Sequence, residues 1–522
     1  MFSVHFHFAD LTVHVAPGAR LSDIAADVGL AIRTDCGASG ICGKCKAILH
    51  FPDGRTVEQP ACQTFIDSDL EVTIPEASLV KRDVVVQLGS TPQNPTGTVG
   101  GYGAAFDIGT TTLAMELIDY RGVVAVVGRA NPQRVFGDDI ISRIQKVIEY
   151  PAALHAMNKA IRSTTNEMLQ ELAAAAGIDA AAIDELSVAG NTVMEYLFHG
   201  IDPSPLGFVP FTPPVTVFPE RRADELGLCM NPHGAVRTLP ILGGFVGGDL
   251  TAGVLAMNVT TENKPVLLID IGTNGELVLW TGKELLAAAT AAGPAFEGAR
   301  IEHGTLAVPG AIERVAIDAW CNATVQTIGN RPAIGICGSG LIDAISELLY
   351  RRLMKSNGRF DTEVPSRHWT TANGKPAFLL DGSIYLTQRD VQQVQLASGA
   401  VRAGTRLLLE HAGLSFDEIE TIYVAGGFGN SIDPKHARWL GLLPPEVPLE
   451  QIKFCGNTSL AGARRFLVER QPLNCPVRHL ELASFPEFAA VFAESMVFPA
   501  SSSDNGTRPQ RSARKPGMDA DG

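Results

Sequence analysis

Hydrophobic and polar residues alternate from the start of the chain. Phe2, Val4, Phe6 and Phe8 fall on one side of an extended segment, and Leu11, Val13 and Val15 repeat the pattern after Ala9-Asp10. Two period-two runs joined by a polar pair predict a β-hairpin. Past Pro17-Gly18 the period lengthens, with Leu21, Ile24, Ala25 and Val28 at helical spacing and Gly29 as the stop. Short apolar runs at 46–49 and 71–74 predict further strands, so residues 1–80 read as a small strand-rich domain. Residues 87–103 are rich in Gly, Pro, Thr and Asn with little to bury, which predicts a linker over 81–103. From 104 onward glycine punctuates alternating strand-like and helix-like segments, the mark of an α/β body. The tail, 501–522, has no large hydrophobe except Met518 and predicts disorder.

The body contains a repeat. Asp107-Ile108-Gly109-Thr110 and Asp270-Ile271-Gly272-Thr273 each close an apolar strand, 104–108 and 266–271. Each precedes a second strand-like run, at 113–118 and 276–280. Two copies of one unit predict two lobes, 104–260 and 261–500.

Composition narrows the classes. The 522 residues favour about three domains, and 45% apolar with 19% charged residues exclude a disordered or collagen-like chain. Lys and Arg number 42 against 56 Asp and Glu, a net charge of −14, which argues against a broad nucleic-acid face. The most apolar long stretch, 239–259, is cut by five glycines and Asp249, so no membrane span is expected. Residues 1–10 lack the basic and apolar blocks of a secretory signal, which predicts a cytoplasmic protein with reduced thiols.

Four of the nine cysteines, Cys36, Cys42, Cys45 and Cys62, are spaced C-x5-C-x2-C-x16-C, with Gly37, Gly40 and Gly43 among them. Four thiolates suit a 2Fe-2S cluster or structural zinc. Zinc favours paired knuckles, whereas here three cysteines crowd one loop and the glycines open the backbone toward the sulfurs, which favours the cluster. A redox-active Cys42-x-x-Cys45 pair is the remaining alternative. With the element order, the segment resembles a β-grasp ferredoxin domain of the plant and adrenodoxin type, with a shortened approach to the fourth cysteine. Cys229, Cys321, Cys337, Cys455 and Cys475 are scattered and read as buried small hydrophobes.

Neither GxxxxGK[ST] nor GxGxxG occurs, so a P-loop and a Rossmann site lack their fingerprints. An aspartate at a strand end followed by Gly-Thr instead sets a carboxylate beside a turn whose N–H and hydroxyl groups suit phosphate oxygens, with Mg2+ between. Gly109, Thr110 and Thr111 form that turn in the first copy; Gly272, Thr273 and Asn274 form it in the second. Gly338 and Ser339, before an amphipathic run, and Gly426 and Gly427, after a strand-like run, are further nucleotide candidates. Asp249 is either a ligand or a helix cap. Thr387 and Asp390 read as a capping box, and His5, His7 and His14 as exposed strand positions without ligand spacing.

Together these motifs resemble the ASKHA superfamily of acetate and sugar kinases, Hsp70 chaperones and actin, whose fold is a duplicated RNase H-like, two-lobed body. The phosphate motifs would be 107–111 and 270–274 and the adenosine motif 424–427. The full set, including AGNTVM at 189–194, GGFVGGD at 243–249, GPAFEG at 293–298, GICGSGLID at 335–343 and VAGGFGN at 424–430, resembles the reductive activators of corrinoid proteins. That resemblance implies an ATPase that returns one electron from a 2Fe-2S cluster to inert Co(II), restoring Co(I) for methyl transfer. Its partners would be a corrinoid-dependent methyltransferase or its corrinoid protein and a separate electron donor, and the chain would be a homodimer. Cys36, Cys42, Cys45 and Cys62 would hold the cluster, and Asp107 and Asp270 would hold Mg2+ or its waters and orient the attacking water. Thr110, Thr111, Thr273 and Asn274 would hold phosphates, and Gly426 and Gly427 would admit base or ribose. Plant-type clusters lie near ~−400 mV and the cobalt couple lower by resemblance, so transfer runs uphill at about 2.3 kcal/mol per 100 mV.

Longer members carry an extra domain between linker and body, for which 81–103 leaves no room. Other readings keep parts of the picture: an ATP-driven donor to another low-potential acceptor, resembling the activators of 2-hydroxyacyl-CoA dehydratases, a small-molecule kinase with a regulatory cluster, or a redox-sensing module without ATP turnover.

Overall fold

The structure, a computed structural model, describes residues 1–7, 11–28, 30, 32–33, 38, 40, 43–75, 78–79, 100–272, 275–290, 292–426 and 432–499. The expected hairpin is present as β1 (Phe2–Phe6) and β2 (Leu11–Val15), followed by α1 (Leu21–Asp27), β3 (Lys46–His50), β4 (Thr56–Pro60) and β5 (Leu70–Thr73). The sheet order is β2-β1-β5-β3-β4, with β1 and β5 parallel and the other pairs antiparallel. Leu21, Ile24 and Ala25 of α1 pack with Val4, Phe6, Leu49 and Val72, giving the expected β-grasp. β4 escaped the sequence reading because it is an edge strand with only Val57 as a large apolar residue, so no alternation marks it.

The body opens with the meander β6 (Tyr102–Ile108), β7 (Thr112–Asp119) and β8 (Gly122–Ala130). Its first strand therefore starts ahead of the expected 104, because Tyr102 and Gly103 already pair with the parallel neighbour. After α2 (Ile140–Glu149) and α3 (Ala152–Ala176) come that neighbour, β9 (Ile183–Gly190), then α4 (Thr192–His199), β10 (Arg221–Arg222), α5 (Ala223–Leu226) and β11 (Ala235–Thr238). The sheet runs β10-β11-β9-β6-β7-β8. A crossing helix, α6 (Gly248–Met257), leads to a second meander, β12 (Val266–Asp270), β13 (Glu276–Trp280) and β14 (Leu285–Ala289).

Between this meander and its parallel partner lie two small sheets. They are built from β15 (Ala311–Ile317), β16 (Ala323–Thr327) and β17 (Gly335–Ile336), and from β18 (Trp369–Ala372), β19 (Lys375–Asp381) and β20 (Ile384–Thr387). The helices α7 (Gly338–Tyr350) and α8 (Gln388–Ala412) fill the core beside them. Gly338, expected in a loop before the helix, is the first residue of α7 itself. α8 starts at the expected capping box, with Thr387 Oγ1 accepting from Asp390 N at 3.2 Å and Asp390 Oδ2 accepting from Thr387 N at 2.8 Å. Then follow β21 (Thr421–Ala425), α9 (Pro434–Trp439), β22 (Ile452–Gly456), α10 (Thr458–Glu469), β23 (Val477–His479) and α11 (Phe488–Ser495), closing the order β22-β21-β12-β13-β14-β23.

The duplication is visible residue by residue. Asp107 pairs with Ala189 on the parallel neighbour and Asp270 with Ala425, and each alanine precedes a glycine. The helices after the two units change sides. α6 packs Leu250 and Val254 on the second sheet, with Leu268 and Val278, while α10 packs Leu460, Ala463 and Leu467 on the first, with Ala105 and Ala189. They cross where a Cβ on Gly462 would lie 1.9 Å from the Ala252 carbonyl, so the helices meet backbone to backbone at the seam between lobes. Among the described residues no helix is long and apolar enough to cross a membrane.

Candidate functional site

Both strand-end aspartates face one cleft of about 180 Å³ at the seam. Gly109, Thr110, Thr111, Gly272, Gly338, Ser339 and Gly426 line it together with Asp107 and Asp270, so these predicted residues are brought together from four separate segments. Thr273, Asn274 and Gly427 lie outside the described residues. Gly426 sits at φ 119°, and a Cβ there would fall 2.4 Å from the Ile271 carbonyl, so only glycine lets the turn after β21 lie against the turn after β12.

The first turn is held from below. Asn131 Nδ2 donates to Gly109 O at 2.8 Å, and the buried guanidinium of Arg143 on α2 donates to Thr110 O at 2.6 Å and Gly137 O at 2.9 Å. Burial lowers the Arg143 pKa to about 10, which leaves it cationic at neutral pH. Thr111 Oγ1 donates across the cleft to Glu297 Oε2 at 2.7 Å, in the GPAFEG segment of the second lobe.

Asp107 accepts from Asn457 Nδ2 and Ser459 Oγ, both at 2.7 Å. Burial pushes its carboxyl up to about 6 against the pull of these two bonds. Asp270 is pushed up by burial, then by the charges of Asp107 and Glu297; Asp249 is pushed up by burial, then by Asp270. The helix N-cap is Gly247, not Asp249, whose side chain lines the cleft. Three acids crowded at one cleft, Asp107 buried and Asp249 and Asp270 half-buried, resist ionising together, and a divalent cation relieves that cost. The donor set therefore fits Mg2+.

Asn457, Ser459 and Glu297 were missed by the sequence reading. The available signal was Gly456-Asn457-Thr458, which repeats Gly190-Asn191-Thr192, and both asparagines cap helices, accepting from Leu460 N at 2.8 Å and Val193 N at 3.1 Å.

In the small domain Cys45 and Cys62 are buried, with their sulfurs 3.3 Å apart and no disulfide between them. A metal bound at about 2.3 Å by two thiolates holds them roughly 3.8 Å apart in tetrahedral geometry, so the pair needs little adjustment to share an iron. Ala61 N donates to Cys45 O at 2.7 Å, and Gln63 Nε2 donates to Ala38 O at 2.8 Å, tying the turn of the fourth cysteine to the loop of the others. Ala38, Gly40 and Gly43 all have positive φ. Cys36 and Cys42 lie outside the described residues. Cys321, Cys337 and Cys455 are buried as expected and Cys475 half-buried, but Cys229 is exposed, on a turn fixed through its N–H to Asn166.

A β-grasp module with a buried cysteine pair joined to a duplicated, acid-lined ASKHA body defines the class of an electron-transfer protein. Family profiles match accordingly: a 2Fe-2S iron-sulfur cluster binding domain over 7–67, the RACo middle region over 102–262, and the C-terminal domain of RACo, the ASKHA domain, over 264–507. The corrinoid activation enzyme RamQ of Eubacterium limosum is 30% identical over 590 residues, covering 95% of this chain and 99% of that protein. The [Co(II) methylated amine-specific corrinoid protein] reductase of Methanosarcina barkeri is 27% identical over 410 residues, covering 72% and 71%. The solved reductive activator for corrinoid, iron-sulfur protein superposes with a TM-score of 0.71 at 29% identity, covering 97% of this chain and 99% of its own. The chain belongs to the reductive activators of corrinoid proteins. The family's middle region falls on the first lobe, at 102–262, and not within 81–103.

Proposed function

We propose that the chain uses ATP to return one electron to a Co(II) corrinoid protein, restoring Co(I). The observation that carries this reading is the union in one chain of the buried Cys45–Cys62 pair with a cleft where two DIGT strand ends meet. Relatives over nearly the whole length named for corrinoid activation support it.

Cys36, Cys42, Cys45 and Cys62 are the proposed ligands of the 2Fe-2S cluster, which supplies a single low-potential electron when bound. Mg2+ favours one or two carboxylates and completes its shell with water and phosphate oxygens. Asp270 fits as that carboxylate, while Asp107, pinned by Asn457 and Ser459, orients the attacking water. Thr110, Thr111, Thr273 and Asn274 hold phosphates, with Ser339 and the N–H groups at the start of α7 beside them. Gly426 and Gly427 take the base or ribose. Burial and neighbouring carboxylates raise the proton affinity of Asp107, Asp249 and Asp270, so cation binding releases protons from them. Nucleotide-dependent partner binding, typically ~1–3 kcal/mol, offsets part of the uphill transfer. A separate donor reloads the cluster, and the active species is a cytoplasmic homodimer.

The test is anaerobic. Pre-reduced protein, freed of dithionite, is mixed with Co(II) corrinoid proteins of the same organism, and Co(I) absorbance is followed with and without Mg-ATP. The reading predicts Co(I) formed faster or further with ATP and lost in Cys42→Ser and Asp270→Ala. ATP consumption with no corrinoid protein reduced would overturn it.

A further inference from the structure

We propose that Glu297 is a positioning residue that couples nucleotide arrival at Thr110–Thr111 to release of the ferredoxin module from the body. This rests on the nucleotide cleft proposed above and adds its regulation. Lys44, next in sequence to Cys45, reaches out of the module and donates from Nζ to Gly298 O at 3.3 Å. The residue before that carbonyl is Glu297, whose Oε2 accepts from Thr111 Oγ1 at 2.7 Å. One short path thus runs from the cysteine loop to a hydroxyl assigned to phosphate.

A second path runs beside it. Lys146 Nζ of α2 lies 3.9 Å from Asp23 Oδ1 on α1, the module's helix. Arg143, on the same helix α2, donates to Thr110 O at 2.6 Å. The paths are joined: Arg300 Nη2 donates to Asp139 Oδ2 at 2.8 Å, and Asp139 caps α2 by accepting from Ser142 N at 2.8 Å. These two ties, among the described residues, both lead through one neighbour to the first phosphate turn.

A hydroxyl donates one hydrogen. A phosphate that takes the Thr111 hydrogen deprives Glu297 of it and sets two negative groups side by side, which displaces the carboxylate. The backbone behind Glu297 has little slack. Gly298 sits at φ 77°, and a Cβ on Gly304 would fall 1.9 Å from the Gly298 carbonyl, so the two strands of this loop cross in contact. The carbonyl that holds Lys44 is the next one along the chain from Glu297, so a shift of this crossing moves the acceptor of Lys44. The module then leaves its seat, with its cysteine loop free to meet a partner protein.

Hydrogen exchange of the full, cluster-loaded chain tests this, with and without Mg-AMPPNP at a saturation verified by calorimetry. Residues 16–24 of the module and 298–305 of the body should exchange about fivefold faster with nucleotide, the low end of typical coupling. Lys44→Met should show the faster exchange without nucleotide while its nucleotide affinity stays within about twofold of wild type. Lys44→Arg should restore the nucleotide response, and Glu297→Gln should bind nucleotide and lose most of that response. Unchanged exchange in the saturated wild type, or Lys44→Met indistinguishable from wild type, overturns the proposal. Calorimetry without binding overturns it together with the nucleotide cleft, whereas a failed Co(I) assay beside an intact exchange response overturns only the corrinoid reading.

Discussion

Asp107 and Asp270 end equivalent strands of the two lobes, pair with equivalent alanines and begin the same DIGT turn, yet their surroundings have opposite character. The difference comes from the helices that change sides. α10 brings Ser459, its second residue, and the capping Asn457 to Asp107, two neutral donors that hold the carboxylate in place. α6 brings Asp249, also its second residue, toward Asp270, so burial there is aggravated by acids. A duplicated backbone has produced one aspartate that is oriented and one that is short of positive charge.

The largest blow to this asymmetry is Asp270→Ala. It should cut nucleotide turnover by roughly 10²–10³-fold, the scale of losing one group that stabilises transition-state charge, while visible absorbance of the cluster stays unchanged. Phosphate release measured beside the spectrum checks both halves.

Next in size is a stability effect. The folded-state pKa of Asp107, about 6, lies above the ordinary 3.8, so folding is favoured by protonation. Stability should fall as pH rises from about 4 to about 6, and the full penalty, on the order of 3 kcal/mol, should persist above that window. Asp107→Asn should remove the penalty, raising the urea midpoint of the metal-free body at pH 7 but little at pH 4. Saturating Mg2+ should narrow the gap between the two chains.

Smaller still is Ser459→Ala. Losing a donor to the ionised form raises the Asp107 pKa further, so the acid limb of the turnover profile should move up by about one unit. Activity should drop by about twofold at pH 7 and by about tenfold near pH 5, and return at higher pH, a recovery that simple misfolding would not give.

Much of this was legible beforehand because it is local. The cysteine spacing, the capping box at Thr387 and the DIGT repeat each lie within a few residues of chain, and the repeat foretold two lobes meeting at a site. The partners of Asp107 are about 350 residues away and arrive on a helix that belongs in sequence to the other lobe, which periodicity cannot reveal. Glu297 was hidden for the same reason, although its motif had been noticed. Gly338 was read as loop because glycine resembles punctuation, whereas here it opens α7 beside the cleft. Cys229 was placed inside on residue type alone, and its turn faces solvent.

The most direct measurement of the central claim is the affinity of the cluster-loaded chain for Mg-ATP, alone and with a saturating Co(II) corrinoid protein. If nucleotide drives delivery of the electron, linkage requires the partner to change nucleotide affinity by the same factor by which nucleotide changes partner affinity, about fivefold or more. The account predicts such a shift with the Co(II) protein and a different one with its Co(I) form. Identical ATP affinities in all three conditions would contradict it.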